Sequence, residues 1–422
     1  MTTHYSVVLV TVLGLLLVSC SSAPPADSAA EASPVSPQVQ TLPDTPSASD
    51  PSAVPAIPTA ALPMTTAETT PVSTSPQPGP SMSAQGFPVD ELQTYIERLA
   101  DKDFFSGAVL VARDGTPIFV QAYGFANKAF NVPNKVDTTF NLGSKMFTAV
   151  AVAQLEAQGK LSFDDLIGEH LPDYPNADAA AKVTIHHLLT HTSGIGDYFD
   201  KPEYLKGAKE RLRSPSHFLP LFAEDPLLFE PGTRFHYSNA GFIVLGLIIE
   251  KVTERSYFDY VREHIYRPAG MTGTDAYEMD EDVPNRATGY VGRLGSPQEN
   301  PKTNLFLHVV KGGPAGGGFS TVEDLLRFDG ALREATLLPR AQTDHLLAGK
   351  VEVGGGVHYA YGFFDRRVNG TRIVGHGGGF PGINGRLDMY LDLGYTVVVL
   401  ANFDPPSADV VADRIQELLT GT

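Results

Sequence analysis

The sequence predicts an α+β fold of the α/β sandwich type, in which one antiparallel sheet is built from both ends of the folded chain. Helices flank this sheet, and an all-helical lobe lies beside it. Strand-like runs occur at residues 107–123 and again after about residue 350, and the stretch between them is helical and loop-rich from Gly159 onward. Strands at both ends with a helical insertion favour a single sheet beside a helical layer. A cleft between two such lobes is a usual place for a site.

The first 20 residues predict export. Residues 7–18 form an apolar run that is too short for a transmembrane span and ends at Ser19-Cys20, the only cysteine of the chain. Residues 1–20 resemble a bacterial lipoprotein signal peptide, after which Cys20 would become the lipidated N-terminus. The partner implied is a membrane of the cell envelope, on its periplasmic or outer-surface side. Because residues 2–6 contain no Lys or Arg, a plain cleaved signal peptide is the alternative.

Residues 21–85 are predicted to be a disordered tether. They are rich in Pro, Ala, Ser and Thr and contain no Lys or Arg as far as Ala84. Such a segment cannot bury enough apolar area to offset its ordering entropy. The tether would hold the folded domain away from a membrane surface.

The composition argues against nucleic acid as a partner. The chain has 422 residues, 48 of them Asp or Glu and 31 Lys or Arg, which gives a net charge of −17. No basic patch is present that would favour a nucleic acid. A substrate attracted by charge would be cationic or neutral, although acidity that only aids solubility explains the same composition.

The folded domain is predicted to span residues 86–422. It begins with an amphipathic helix at residues 88–100, where apolar residues repeat at helical spacing. The strand-like residues 107–111 and 117–123 flank Arg113-Asp114-Gly115, which is a hairpin turn signal.

The later elements complete the predicted sheet. A strand at residues 137–142 leads into an apolar helix at residues 146–158. The C-terminal part has three strand-like runs and a final amphipathic helix, namely residues 357–367, 383–391, 395–402 and 408–419.

Ser144 is the candidate nucleophile. A strand-like run ends at Gly143-Ser144, and the apolar helix follows, so the serine is expected at a helix N-terminus. Free backbone N–H groups and the positive end of the helix dipole favour developing negative charge there. Lys145 follows directly and could exchange a proton with it.

Tyr237-Ser238-Asn239 is the second candidate motif. The chemistry needs a proton acceptor facing the serine; an ordinary tyrosine has a pKa of about 10, and a nearby ammonium would favour its phenolate. Asn239 offers an amide to hold a substrate carbonyl or the lysine. The alternative is a tyrosine that is half-buried for packing alone.

Gly375-His376-Gly377-Gly378-Gly379 is the third motif. It lies between two strand-like runs, so we expect a sheet edge lining the cleft, where glycines allow a substrate backbone to lie against the strand. The alternative is a flexible glycine loop with a surface histidine.

These three motifs, in this order, resemble those of the serine β-lactamase and penicillin-binding protein family, which includes class C β-lactamase-related hydrolases and esterases. Three further sequence segments extend the resemblance over nearly all of residues 86–422. They are His187-Leu-Leu-Thr-His-Thr-Ser-Gly-Ile195, Pro314-Ala-Gly-Gly-Gly-Phe-Ser-Thr-Val-Glu-Asp324 and Tyr361-Gly-Phe363.

The resemblance implies acyl transfer without a metal or an organic cofactor. Ser144 would attack an ester or amide carbonyl, Lys145 and Tyr237 would handle protons, and water would clear the acyl-enzyme. Asn239 and His376 complete the implied catalytic set. The N–H groups of Ser144 and Gly379 would form the oxyanion hole, and the substrate edge would include Gly377 and Gly378.

The spacing of the first motif departs from the family. The family uses Ser-x-x-Lys, because residues three apart on a helix are neighbours, whereas Lys145 follows Ser144 directly. If the helix is positioned by Lys145, Leu142 lies where the nucleophile should be. If Ser144 keeps its place, the lysine position passes to Phe147 and the apolar face of the helix turns by about 200°. The first arrangement costs less free energy, because the second exposes core residues to water.

Two functional hypotheses follow. In the first, the chain is a serine hydrolase, impaired as it stands, that cleaves a β-lactam, a D-amino acid peptide or a carboxyl ester. In the second, it is a non-catalytic relative that binds peptide or cell-wall fragments in the same cleft. Retention of Tyr237, Asn239 and the His376 motif favours the enzyme. Neutral imidazole binds anions poorly, so His376 disfavours a requirement for a carboxylate-bearing β-lactam.

Other site types fit the sequence less well. His187 and His191 are spaced one helical turn apart, and this spacing suggests a metal site. However, no Glu follows His187 as in the metal-binding motif His-Glu-x-x-His. We expect a capped loop with satisfied histidines instead. Gly143-Ser144-Lys145 lacks the residue order of a phosphate-binding loop, and the triple glycines lack a dinucleotide-binding context.

Overall fold

The structure is a computed structural model, and it describes residues 86–143, 145–207, 209–292, 302–305 and 307–421. The expectations for the signal peptide, for lipidation at Cys20 and for the tether at residues 21–85 lie outside the described residues. In the described ranges, no helix combines the length and the apolar character needed to cross a membrane.

The described elements follow the order expected from the sequence. The helices are α1 (Val89–Asp101), α2 (Lys145–Ala157), α3 (Ile167–His170), α4 (Ala177–Lys182), α5 (Ile185–Leu189), α6 (Pro202–Lys206), α7 (Asn239–Thr253), α8 (Tyr257–Val261), α9 (Val322–Arg333), α10 (Arg340–Leu347) and α11 (Ser407–Thr420). Shorter 3₁₀ turns span Tyr198–Asp200, Lys209–Arg211 and Pro215–Leu221, and a π-helical turn spans Arg262–Tyr266.

The strands are β1 (Gly107–Arg113), β2 (Thr116–Tyr123), β3 (Phe125–Asn127), β4 (Val132–Pro133), β5 (Phe140–Leu142), β6 (Tyr290–Val291), β7 (Lys302–Thr303), β8 (Gly318–Ser320), β9 (Val351–Gly354), β10 (Val357–Tyr359), β11 (Phe364–Val368), β12 (Thr371–Phe380), β13 (Ile383–Tyr390) and β14 (Tyr395–Ala401).

One antiparallel sheet joins the two ends of the domain, as predicted. Its strand order is β2-β1-β14-β13-β12-β11-β10-β9. The N-terminal strand β1 pairs with the C-terminal strand β14 from Gly107 opposite Ala401 to Arg113 opposite Tyr395. The expected α+β fold is therefore confirmed.

Both faces of this sheet are buried at its central strands β1, β14 and β13. Along β1, Ala108 and Leu110 face the core shared with the helical lobe, whereas Val109 and Val111 face the core formed with α1 and α11. This alternation has the period of two that a strand imposes on its side chains. The sheet thus lies between a layer of terminal helices and the helical lobe, which is the predicted layer order.

The β1–β2 hairpin turns where the sequence predicts. Asp114 and Gly115 both adopt positive φ, at 48° and 75°. Positive φ at both central residues defines the type I′ turn, whose twist matches that of the flanking strands.

Two boundaries differ from the expectation. The predicted strand at residues 357–367 is divided into β10 and β11, because the chain bends between them at Gly362, which has φ of 76°. A Cβ at Gly362 would lie 2.6 Å from the Cβ of Ala149, so the bend packs directly against α2. The strand predicted at residues 137–142 is shorter in the structure: β5 begins at Phe140, where it pairs with β8.

The helical lobe centres on α2 and α7. Both helices are buried on nearly every face, which is the pattern of a helix enclosed by others rather than of an amphipathic surface helix. The ring of Phe147 in α2 packs edge-on against Tyr266 at 5.1 Å and Phe328 at 5.0 Å between centroids. Phe147 therefore belongs to the core, and the rotated helix that would place it at the lysine position does not occur.

Replacing Phe147 tests this helix orientation. We expect Phe147→Ala to lower the free energy of unfolding by about 3–5 kcal/mol, because it removes a buried ring and leaves a cavity. Urea denaturation measures the change. Phe130→Ala is the matched control, since Phe130 is 79% exposed and its removal should change stability by no more than about 0.5 kcal/mol. An equally small effect of Phe147→Ala would contradict the orientation of α2.

Candidate active site

Ser144, the predicted nucleophile, lies outside the described residues, but both of its chain neighbours are described. Before it, the carbonyl of Leu142 accepts a hydrogen bond from the Gly317 N–H at 3.0 Å. A Cβ at Gly378 would lie only 2.9 Å from the backbone nitrogen of Gly143. The chain leading to Ser144 is therefore in close contact with strand β12, and only a glycine fits at position 378.

Lys145 is the first residue of α2 and is buried, with 3% of its surface exposed. Its Nζ donates to Asn239 Oδ1 and to the carbonyl of Ala315, both at 2.6 Å. The Nζ atom also lies 4.8 Å from the ring centroid of Tyr237. The helix is thus positioned by Lys145, which is the first of the two arrangements considered from the sequence, and Leu142 is buried at the end of β5.

The surroundings of Lys145 favour its neutral form. Burial lowers the pKa of Lys145 to about 7, and the charge of Asp197 acts in the opposite direction. A neutral amine has two N–H donors and one lone pair. Its two described acceptors match those two donors, and the lone pair is left able to accept a proton. Lys145 therefore has the character of a general base at neutral pH.

Asn239 is held by Asp197, a residue that the sequence did not single out. Asp197 Oδ2 accepts hydrogen bonds from the backbone N–H of Asn239 at 2.8 Å and from its Nδ2 at 2.7 Å. Because Nδ2 is bound to a carboxylate, Oδ1 must face the amine of Lys145. Burial raises the pKa of Asp197, and the hydrogen bonds that it accepts from Asn239 and Phe199 act against this shift.

The start of α7 fixes where Asn239 lies. Ser238 is the N-cap, and its hydroxyl accepts from the Gly241 N–H at 3.1 Å while donating to the carbonyl of Gly196 at 2.8 Å. A serine at this position satisfies backbone N–H groups that a helix leaves unpaired. The middle residue of the Tyr-x-Asn motif thus anchors the helix to the segment that carries Asp197.

Tyr237 lies in the site, where its surroundings disfavour the expected phenolate. Burial raises the pKa of the Tyr237 phenol well above its usual range, and the charge of Asp197 raises it further. The amine of Lys145 lies over the ring and is itself close to neutral, so it gives the phenolate little support. Tyr237 is consequently a neutral phenol, a donor rather than a base, and Lys145 is the better acceptor.

His376 is a buried residue of β12, which excludes the alternative of a surface histidine in a flexible loop. It is 6% exposed, and its Nε2 lies 3.4 Å from the Tyr359 hydroxyl. Its buried Nδ1 has no hydrogen-bond partner among the described residues. A Cβ on Gly143 would lie 3.9 Å from this Nδ1, so the ring borders the turn before Ser144. Burial lowers the pKa of His376 to about 3, with the charge of Lys145 acting in the same direction.

The glycines after His376 form the expected sheet edge. Strand β11 pairs with β12 only as far as Gly375, whereas β13 continues alongside to Phe380. The carbonyl of Gly378 accepts from Asn384 Nδ2 of β13 at 3.3 Å. Backbone groups alternate in direction along a strand, so those of Gly377 and Gly379 are directed to the open side. This is the side where an oxyanion or a substrate backbone could be bound.

Three further residues belong to this environment. The Ala315 carbonyl, the Tyr359 hydroxyl and the ring of His191 each contact a site residue, the last at 4.1 Å from the Tyr237 ring centroid. Ala315 and His191 lie in phrases that supported the family resemblance without evident chemistry. Backbone carbonyls carry no residue-type signal, so a sequence pattern could not have identified the role of Ala315.

The two spaced histidines have different surroundings. His187 belongs to the capping box of α5, as the capped-loop interpretation expects. His191 lies beyond the end of α5 with φ of 57°, and its Nδ1 accepts from the Ser238 N–H at 3.2 Å. They are therefore not one turn apart on a helix. His191 Nε2 is buried without a partner in the described part of the chain, so this histidine is not fully satisfied.

A metal centre finds no support in the described part of the domain. Across the described ranges, no group of three or more His, Cys, Asp or Glu residues is placed to hold an ion.

The pKa of Lys145 is open to direct measurement. We expect the ¹³Cε signal of Lys145, identified by its loss in Lys145→Met, to titrate with a midpoint near pH 7. Asp197→Asn should lower that midpoint further, because it removes the negative charge that favours the ammonium. Asp101→Asn, at an exposed position of α1, is the matched control and should change nothing. A midpoint near the ordinary value of 10.5 would contradict the buried, neutral amine.

Comparison with known proteins agrees with this geometry. The family model described as Beta-lactamase matches residues 92–422. The chain is 32% identical to Penicillin-binding protein 4* of Bacillus subtilis over 328 residues, which are 74% of this chain and 71% of that protein.

Two solved structures extend the comparison. A penicillin-binding protein from Bacillus halodurans is 36% identical, with a TM-score of 0.71 over 78% of this chain and 98% of that one. A D-stereospecific amidohydrolase from Streptomyces sp. is 26% identical, with a TM-score of 0.66 over 79% of this chain and 99% of that one. With its ordered motifs, its sheet and its lysine-centred cleft, the chain belongs to the β-lactamase family of penicillin-binding-protein-like serine hydrolases.

Proposed function

We propose that this chain is an exported hydrolase that cleaves an ester or amide through an acyl-enzyme on Ser144. The observation that carries the proposal is the amine of Lys145, which is buried, hydrogen-bonded to Asn239 and close to neutral at physiological pH. A structural lysine is seldom placed this way, because burial of an amine without a carboxylate partner costs free energy. Such perturbed groups cluster at functional sites.

The proposed first step uses Lys145 as the base. Its lone pair takes the proton of the Ser144 hydroxyl while the serine oxygen bonds to the substrate carbonyl carbon. The N–H of Gly379, on the open side of β12, stabilises the resulting oxyanion; one such donor is worth roughly 10²–10³ in rate. Asn239 keeps the amine oriented. Collapse of the intermediate breaks the bond to the leaving group, which takes the proton held by Lys145, directly or relayed through Tyr237, so that the amine is neutral again.

Water completes the proposed cycle. The neutral amine of Lys145 accepts a proton from water while the water oxygen bonds to the acyl carbon. The acyl bond to Ser144 then breaks, the serine oxygen takes the proton back from Lys145, and the free acid is released. His376 stays neutral throughout, because burial holds its pKa at about 3. Its contribution is a polar wall beside Gly143 rather than a positive charge.

We expect slow turnover from the sequence as it stands. Adjacent residues at a helix start do not face each other, so the Ser144 hydroxyl and the Lys145 amine lack the geometry of a Ser-x-x-Lys pair. The second candidate function, binding of peptide or cell-wall fragments without catalysis, is favoured by one observation. The position two residues before Ser144, where the family spacing places the nucleophile, is the buried, chemically inert Leu142.

The substrate is proposed by class. Relatives include proteins named as penicillin-binding proteins and as a D-stereospecific amidohydrolase. We therefore propose a β-lactam, a D-amino acid peptide or amide, or a carboxyl ester. Export and attachment to the cell envelope through lipidated Cys20 complete the proposal, and residues 1–20 support it by their pattern alone.

Covalent trapping tests the nucleophile. A fluorophosphonate probe followed by peptide mass spectrometry should label the native chain slowly at Ser144, and Ser144→Ala should abolish the label. Inserting two residues between Ser144 and Lys145 should accelerate labelling by restoring the family spacing. Ser162→Ala, at an exposed serine, is the control. Labelling only in the insertion variant would favour the non-catalytic relative, and labelling that survives Ser144→Ala would identify another nucleophile.

The pH dependence of labelling tests the base. Lys145 has a folded pKa below its usual value, so the amine is protonated at acid pH and becomes free as the pH rises through about 7. We expect the labelling rate to increase across that pH and then level off. His376 titrates near 3 and should leave no inflection near neutrality. A rate that is flat through pH 7 would show that Lys145 is not the base.

A further inference from the structure

Strand β12 ends in an aromatic side chain that no step above uses. His376, Gly378 and Phe380 alternate along an uninterrupted pairing with β13, so all three face the same side of the sheet. His376 borders Gly143, and Gly378 touches it. Phe380 lies two residues further along on this face, beyond the contact between Gly378 and Gly143.

A second aromatic residue meets Phe380 from the helical lobe. Phe199 follows Asp197 by two residues, and its backbone N–H donates to Asp197 Oδ1 at 3.1 Å. The ring centroids of Phe199 and Phe380 are 5.9 Å apart. Both rings are partly exposed. We call this pair the aromatic bridge, because it spans the cleft between the segment that holds Asn239 and the edge that carries Gly379.

Neighbouring groups extend an apolar surface around the bridge. Tyr204 packs edge-on against Phe199 at 4.9 Å, and His308 packs edge-on against Phe380 at 5.5 Å between centroids. Burial lowers the pKa of His308, so its ring is neutral at physiological pH. Lys209 is the nearby cation, but its Nζ lies over the Tyr204 ring at 4.8 Å and donates to the carbonyl of Leu307 at 3.0 Å.

We propose that the aromatic bridge is the binding site for an apolar acyl chain, so that the preferred substrates are neutral esters or amides of medium-chain or arylalkyl carboxylic acids. The chain would lie across the partly exposed edges of the Phe199 and Phe380 rings, which contact each other, while its carbonyl faces Gly379. A carboxylate on that chain would lose part of its hydration beside the two rings. This inference rests on the proposed acyl chemistry for its substrate class.

An ester series tests the preference. With p-nitrophenyl esters from acetate to octanoate, kcat/KM should rise by roughly fourfold for each methylene placed against the rings. The glutarate monoester should react more slowly than the pentanoate ester of equal chain length. Phe199→Ala and Phe380→Ala should flatten the series, Phe380→Leu should retain part of it, and Phe130→Ala, at a remote exposed aromatic, should leave it unchanged. A flat native series would overturn the proposal.

Binding separates this inference from the acyl chemistry. On Ser144→Ala protein, which cannot be acylated at that residue, calorimetry should show that octanamide binds more tightly than acetamide or glutaramic acid. Adding Phe380→Ala should weaken octanamide binding about tenfold, and adding Phe130→Ala should not. Octanamide binding that depends on Phe380 without any probe labelling would refute the acyl-enzyme and support the apolar site. Probe labelling of Ser144 with octanamide binding indifferent to Phe380 would refute the bridge and retain the hydrolase.

Discussion

The site depends on one buried contact between helices, in which the Lys145 amine at the start of α2 donates to the Asn239 amide at the start of α7. Each helix is enclosed by apolar neighbours, so neither can turn without exposing core residues. The packing of the two helices therefore holds this hydrogen bond in a fixed position. Asp197 and Ser238 reinforce it by fixing the amide and the start of α7.

Burial governs the protonation of the site more than individual charges do. Desolvation is the main cause of the lowered pKa values of Lys145 and His376 and of the raised pKa of Tyr237. All three shifts favour the neutral form, as expected when charged groups are removed from water. The cleft thus combines a neutral amine, a neutral phenol and a neutral imidazole, a set suited to moving protons rather than to binding an anionic group.

The same neutrality connects catalysis to specificity. The aromatic bridge of Phe199 and Phe380 adds two apolar rings between the segment of Asp197 and the glycine edge of β12. An acyl chain placed there would exclude water from the oxyanion side, and electrostatic interactions gain strength in a dry site. The Ser144-Lys145 spacing is a departure from the Ser-x-x-Lys motif of the family.

The sequence by itself determined the class of fold and four of the residues that line the site. Alternating apolar residues and turn signals have local causes, so the β1–β2 hairpin, α2 and the C-terminal strands were predictable within a few residues. The three motifs likewise identified Lys145, Tyr237, Asn239 and His376 before their contacts were known. The break at Gly362 was not predictable, because it arises from the approach of Ala149 in a distant helix.

Only the tertiary structure decided which groups of the site are buried and what surrounds them. The surroundings of Tyr237 disfavour its phenolate, because desolvation of the phenol raises its pKa, and no local sequence pattern specifies which distant residues cause that desolvation. Asp197, the Ala315 carbonyl and the Phe199–Phe380 pair enter the site through contacts between segments far apart in the chain. Residue types and spacing specify which groups are present, whereas burial and long-range packing set their charge, their orientation and their neighbours.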